Sequence, residues 1–146
     1  MQLQVINMVI KTKTLKVKSK GENDIIDITQ QTENAIEESY IKDGVVTLFV
    51  SGSTGALTTI EYEPGLLVDF PKMLDRIAPK DIEYGHEKMW HDGNGHSHVR
   101  ASLVGPSLTV PFKDRKLLLG TWQQIVFLEL DTRSRNRNLV LQIIGE

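Results

Sequence analysis

The sequence predicts an α+β fold in a single domain, and three observations carry that expectation. A period-2 run opens the chain, a stretch with helical spacing follows it, and the C-terminal half is rich in short β-branched runs separated by turn residues. The 146 residues suit one hydrophobic core, which would bury about two-thirds of the surface that the unfolded chain exposes. Residues 1–146 therefore read as one domain, with Met1 to Asn7 as a frayed extension ahead of a second methionine, Met8.

From Met8 to Lys18, MVIKTKTLKVK alternates apolar or β-branched residues with lysines, the pattern of a strand with one face in water. After the polar turn SKGEND, the segment Ile28 to Ile41 places Ile28, Ala35, Ile36 and Tyr40 at helical spacing, with Asp27 or Thr29 as N-cap. The run GVVTLFVSGS from Gly44 is short, apolar and β-branched, which suits a strand buried on both faces. Ala56 to Tyr62 is another strand, and Glu63-Pro64-Gly65 marks a turn or helix entry. Leu66 to Ile77 makes a second helix, expected to start near Asp69 because Pro71 costs ~3 kcal/mol beyond the first turn. The segment EYGHEKMWHDGNGHSH is too rich in Gly, His and Asp for a regular element and reads as a loop. VRASLVGPS then supplies one short helical turn. SLTVPF is a strand interrupted at Pro111, and Lys116 to Leu119, Trp122 to Leu130 and Leu139 to Ile144 complete a strand-rich half. DTRSRNRN joins the last two strands as a polar hairpin loop.

Composition excludes several function classes. A net charge of −2 gives no basic footprint, so nucleic acid is not an expected partner. The absence of cysteine removes disulfides, iron–sulfur clusters, thiolate zinc sites and thiol nucleophiles, leaving His, Asp and Glu as the only metal ligands. No apolar run approaches the ~18 residues of a membrane span and no leader pattern opens the chain, so the expected setting is the cytoplasm, away from membranes.

All four histidines lie within thirteen residues, at His86, His91, His96 and His98. Imidazole is a common ligand for zinc, and in an extended stretch His96 and His98 would project to one side, where His86 or His91 would complete three nitrogen ligands for a divalent ion, zinc or magnesium. Asp92 would add an oxygen ligand or fix a ring tautomer. Two other readings stand beside this one: exposed loop histidines that bind backbone carbonyls, and proton-transfer or phosphate-donor roles for His86 and His98. The loop Ser51 to Gly55, SGSTG, offers backbone N–H groups to a phosphate or is a plain turn. Arg133, Arg135 and Arg137 would clamp an anion or simply be solvated. Glu61 and Glu63 are acid/base or surface carboxylates.

Taken together, GHSHVRASLVGPSLTVPF, KLLLGTWQQIVFLELD and the closing Gly145-Glu146 resemble the YjbQ family over nearly the whole chain. That resemblance implies an α+β domain with a mixed, sandwich-like sheet arrangement and two main helices, assembled as a homotrimer. It also implies a secondary thiamine-phosphate synthase activity, joining thiazole phosphate to pyrimidine pyrophosphate, so the implied partner is a small phosphorylated molecule. The family's Tyr-x-His element matches Tyr84-Gly85-His86, its later histidine matches His98, and Asp92 approximates its loop carboxylate; His86, His98 and Asp92 are the implied catalytic set. Thr121, Trp122 and Gln123 match its Thr-Trp-Gln, Glu129 its strand glutamate and Arg137 its last arginine. Ser53, Thr54, Thr121, Trp122, Gln123 and Arg137 form the expected substrate-binding set. One departure is clear: where the family pattern has His-Thr-Ser after the second strand, this chain has Ser51-Gly52-Ser53-Thr54, so His91 or His96 is expected to stand in from the other loop.

Overall fold

The computed structural model describes residues 7–146, so all of the expected frayed extension except Asn7 lies outside the described residues. Eight strands and four helices follow in the order β1 (Val9–Lys18), β2 (Asp24–Asp27), α1 (Thr29–Ser39), β3 (Gly44–Val50), β4 (Gly55–Ile60), α2 (Pro64–Ile77), α3 (Gly85–Trp90), α4 (Gly95–Val104), β5 (Ser107–Lys113), β6 (Lys116–Leu117), β7 (Gln124–Glu129) and β8 (Asn136–Gly145). The strands form a five-stranded sheet, order β1-β8-β3-β5-β6, and a three-stranded sheet, order β2-β7-β4. All of these pairings are antiparallel. The fold is α+β, as the sequence predicts.

The core lies between the sheets, because alternate residues of each strand point inward. Val46, Leu48, Leu139, Leu141 and Ile143 of the large sheet meet Leu57, Ile125 and Phe127 of the small one, and Ile36 of α1 joins them. A second cluster packs the other face of the small sheet, through Ile25, Ala56, Val126 and Leu128, onto Leu74 of α2 and Ala101 of α4. The strand buried on both faces is therefore β7, not β3. The β3 residues Val46, Leu48 and Val50 face the core, while Phe49 stands exposed on a sheet face that no element among the described residues covers.

Three further sequence expectations change. Helix α2 starts at Pro64, because the Glu63 carboxylate accepts from the Gly65 and Leu66 N–H groups and caps it there. Pro71 is accommodated inside this largely exposed helix at the loss of one backbone hydrogen bond. The histidine-rich segment is not a loop but the two helices α3 and α4, separated by a turn in which His91 (φ 54°) and Gly93 (φ 70°) are left-handed. Its Asp92 and Gly93 lie in the turn, Asn94 is the N-cap position of α4, and Gly85 and Gly95 open the two helices, so the composition of the whole segment hid the helical runs on either side. Finally, β7 and β8 are not a hairpin, since Leu130–Arg135 carries the chain from the small sheet to the large one. Among the described residues, no helix is long and apolar enough to cross a membrane.

Candidate functional site

The chain passes between the sheets three times at one end of the sandwich: through 19–23, through Ser51–Thr54 and through 130–135. The three crossovers converge on Glu129, the last residue of β7, which pairs with Asp24 of β2 on one side and Gly55 of β4 on the other. Glu129 is fully buried. Its carboxylate accepts from Arg137 Nη2 at 2.5 Å and Nε at 2.8 Å, from Ser19 Oγ at 2.9 Å and from the Asp131 N–H at 3.1 Å. Arg137 lies opposite Val17 in the β1–β8 ladder, so it points inward with that core residue. Its Nη2 also donates to Thr54 Oγ1 at 2.8 Å. Thr54 donates in turn to Asp131 Oδ2, which takes two hydrogen bonds from Arg135.

The electrostatics follow from this geometry. The hydrogen bonds that Arg137 donates to Glu129, and the charges of Glu129 and Asp131, push it above its ordinary value against the effect of burial. Burial opposes ionisation of Asp131, but Arg135, the Thr132 N–H and Thr54 together hold its carboxyl below the usual range. Two carboxylates and two guanidiniums balance, so the cluster offers directed donors with little net charge. Among the described residues, Arg137 Nη1 has no hydrogen-bond partner, and it lies directly beneath the exposed loop at Gly52, where an added Cβ would meet it at 2.8 Å.

A cleft of about 220 Å³ opens at this loop, between Gly52 and Ser53 on one side and His98 and Ser102 of α4 on the other. His98 and Ser102 are four residues apart and share a helix face. The ring of His86, from α3, lies 4.3 Å from that of His98, centroid to centroid. Asp92 Oδ1 is 3.3 Å from His86 Nε2. The buried Asn94 amide fits with its nitrogen toward this pair, donating to Asp92 Oδ1 at 2.8 Å and reaching His86 Nε2 at 3.1 Å.

The structure thus brings His86, His98 and Asp92 together and sets Ser53 across the cleft from His98, while Thr54 and Arg137 belong to the buried cluster behind the Gly52 loop and do not line the cleft. The other expected members are elsewhere. His96 and His98 are on a helix, where residues two apart point about 200° away from each other, so they do not share a side. His96 is buried and makes a 2.5 Å contact with Glu22 Oε1, while His91 is exposed at the end of α3. The expected three-nitrogen set is therefore not assembled: among the described residues, no three His, Asp or Glu side chains converge as a metal-holding group. Nor do His91 and His96 stand in beside Ser53. Thr121, Trp122 and Gln123 sit at the Ile60 end of β4, with Trp122 71% exposed, and the cleft is at the Gly55 end. Five residues of strand separate the two ends by roughly 17 Å.

Sequence reasoning missed Ser19, Glu22, Asn94, Arg100 and Ser102. Arg100 follows His96 by one helical turn, a signal visible only once that segment is read as a helix.

A family model described as UPF0047 protein YjbQ-like matches residues 13–146. A UPF0047 protein of Methanothermobacter thermautotrophicus is 38% identical over 95% of this chain and 95% of its own. UPF0047 protein YugU of Bacillus subtilis is 32% identical over 91% of this chain and 98% of its own. Among solved structures, a YbjQ-like protein of unknown function from Sulfolobus solfataricus superposes with a TM-score of 0.89 at 32% identity, covering 96% of this chain and 100% of that one. An uncharacterised conserved protein of the same family from Clostridium acetobutylicum gives 0.81 at 34% identity, covering 90% and 98%. With its sequence matched from Lys13 to the last residue and its fold shared with these structures, the chain belongs to the UPF0047, YjbQ-like family.

Proposed function

We propose that this protein is an enzyme acting on a small phosphorylated or pyrophosphorylated molecule, with thiamine-phosphate synthase chemistry as a weak activity. The observation that carries the reading is that His98 and the Gly52–Ser53 loop line one cleft, with Arg137 Nη1 against Gly52 of that loop. In the reaction, a thiazole nitrogen lone pair forms a C–N bond to the pyrimidine methylene carbon. The C–O bond to pyrophosphate breaks, and pyrophosphate leaves with the electron pair. Ser53 and His98 donate hydrogen bonds to the departing oxygens, and Arg137 Nη1 adds charge from below. A cleft of about 220 Å³ is below the ~300–1,000 Å³ of drug-sized sites, so it fits the phosphate portion and leaves the organic rings at its mouth. The near-neutral cluster beneath gives only modest attraction for an anion, in keeping with a weak activity. Among the described residues, His86, Asp92 and His98 do not form a converging ligand set for a divalent ion.

The test is complementation of a bacterial strain lacking thiamine-phosphate synthase. Rescue by the wild type and not by His98→Ala is the expected outcome, and rescue that survives the alanine change rejects the assigned role.

The threefold assembly belongs to the same proposal. What supports self-association is the uncovered face of the large sheet, where three consecutive rows contain no charged residue. These are Ile10–Ile144–Val45–Pro111, Thr12–Gln142–Thr47–Thr109 and Thr14–Val140–Phe49–Ser107. Depletion of charge is the mark of an interface centre.

A further inference from the structure

Helix α4 buries an unusual face. Its buried residues are Gly95, His96, Ser97, Arg100 and Ala101, so its apolar anchoring is limited to the small Ala101 and the half-buried Val104 at its last turn. Hydrogen bonds do the rest. His96 Nε2 contacts Glu22 Oε1 at 2.5 Å, and Arg100 Nη1 lies 3.8 Å from the same oxygen. The Arg100 guanidinium also donates to the Ala78 carbonyl at 3.0 and 2.9 Å and to Asp75 at 2.6 Å. Glu22 stands in the β1–β2 crossover, and Lys80 Nζ holds its second oxygen at 2.8 Å. One carboxylate on the crossover thus binds the first turn of α4 and faces the second.

The opposite face of the helix carries His98 and Ser102 to the cleft. An apolar stripe tolerates small rotations at little cost, whereas charge-assisted hydrogen bonds are directional and lose strength steeply when bent. About 100° of helix separates neighbouring residues, so even a modest turn of α4 shifts His98 out of contact with His86.

We infer that Glu22 is a positioning residue for the candidate site: by holding His96 and Arg100 on one face of α4, it sets the direction in which His98 enters the cleft from the other. This rests on the reading of His98 as a site residue, but its test needs no ligand and no turnover.

With four histidines in the chain, ring-labelled histidine gives a spectrum simple enough to assign. The His86–His98 ring-to-ring NOE, expected from the 4.3 Å separation, reports the geometry directly. In Glu22→Gln that NOE drops severalfold while the far-ultraviolet circular dichroism stays native, and Glu22→Asp restores part of it. An unchanged NOE in a folded Glu22→Gln protein overturns the proposal, because the contact would then be only a structural one. Should that variant fail to fold, Asp75→Asn at the exposed end of the same chain of pairs gives the same loss at smaller amplitude, and an unchanged NOE there overturns it equally. Failure of complementation with an intact Glu22 effect would reject the proposed reaction and leave this inference standing.

Discussion

Arg137 of β8 and Glu129 of β7 face each other across the sandwich in a two-pronged pair, with Nη2–Oε1 at 2.5 Å and Nε–Oε2 at 2.8 Å. Glu129 is wholly removed from water, so the arginine that looks in sequence like an anion clamp is first of all the counter-charge of a buried carboxylate. Arg137→Met leaves that carboxylate unpaired. It is expected to cost about 3–5 kcal/mol, measured by urea unfolding. The double variant with Glu129→Leu should recover part of the loss.

Acid should weaken the fold within a defined window. Glu22 and Asp131 both have carboxyls held below their ordinary values; in each, burial works the other way, and Lys80 with His96, or Arg135 with Thr132, outweighs it. A depressed folded value contributes stability above the unfolded pKa of about 4, and this is lost as pH falls through the folded value. Melting temperature should therefore respond little to these two groups between pH 7 and 5 and lose their contribution below about pH 4. Asp131→Asn should lower the neutral-pH value and flatten the acid limb.

Pyrophosphate binding should separate the cleft histidine from one that lies outside the cleft. His98→Ala is expected to weaken inorganic pyrophosphate by about tenfold, the equivalent of one charge-assisted hydrogen bond, as read by isothermal titration calorimetry. His91→Ala, at an exposed helix end, should leave it unchanged.

Gly145 is a packing position. It pairs with Val9 on one side and Gly44 on the other, and a Cβ there would collide with the Asp43 carbonyl and come within 2.8 Å of an Ile41 methyl. Gly145→Ala should cost roughly 1–3 kcal/mol, as overpacking does, and be visible as a lowered melting temperature.

If the uncharged face of the large sheet is the subunit interface, light scattering on a size-exclusion column should give three times the chain mass for the wild type. Phe49→Lys, which plants a charge in the third row, should give a single chain.

How far the sequence can be read varies with the element. The alternation from Val9 to Lys18 and the spacing around Ile36 reported local structure because burial imposes a period on each. The family strings around His98 and Trp122 reported the fold by resemblance. By contrast, Glu22 and Arg100 each look like an ordinary surface charge, and their pairing spans 78 positions of chain that only the folded topology closes. Likewise, the His96-x-His98 spacing suggests shared ligation in a strand and opposed roles in a helix, so an error of element type became an error of chemistry. Trp122 and His98 were grouped by family pattern, yet they lie at opposite ends of β4, a distance that pattern alone does not encode.

The three crossovers that meet at Glu129 also bear on the order of events during folding. Ser19 reaches Glu129, and Thr54 reaches Asp131, only after both sheets have formed and closed, through contacts more than seventy residues apart. Such distant closures come late and slow the search. The cleft itself is lined from residues 52–106, but the buried cluster behind its Gly52 loop is a product of the finished molecule, because it joins Ser19 to Glu129 and Thr54 to Asp131.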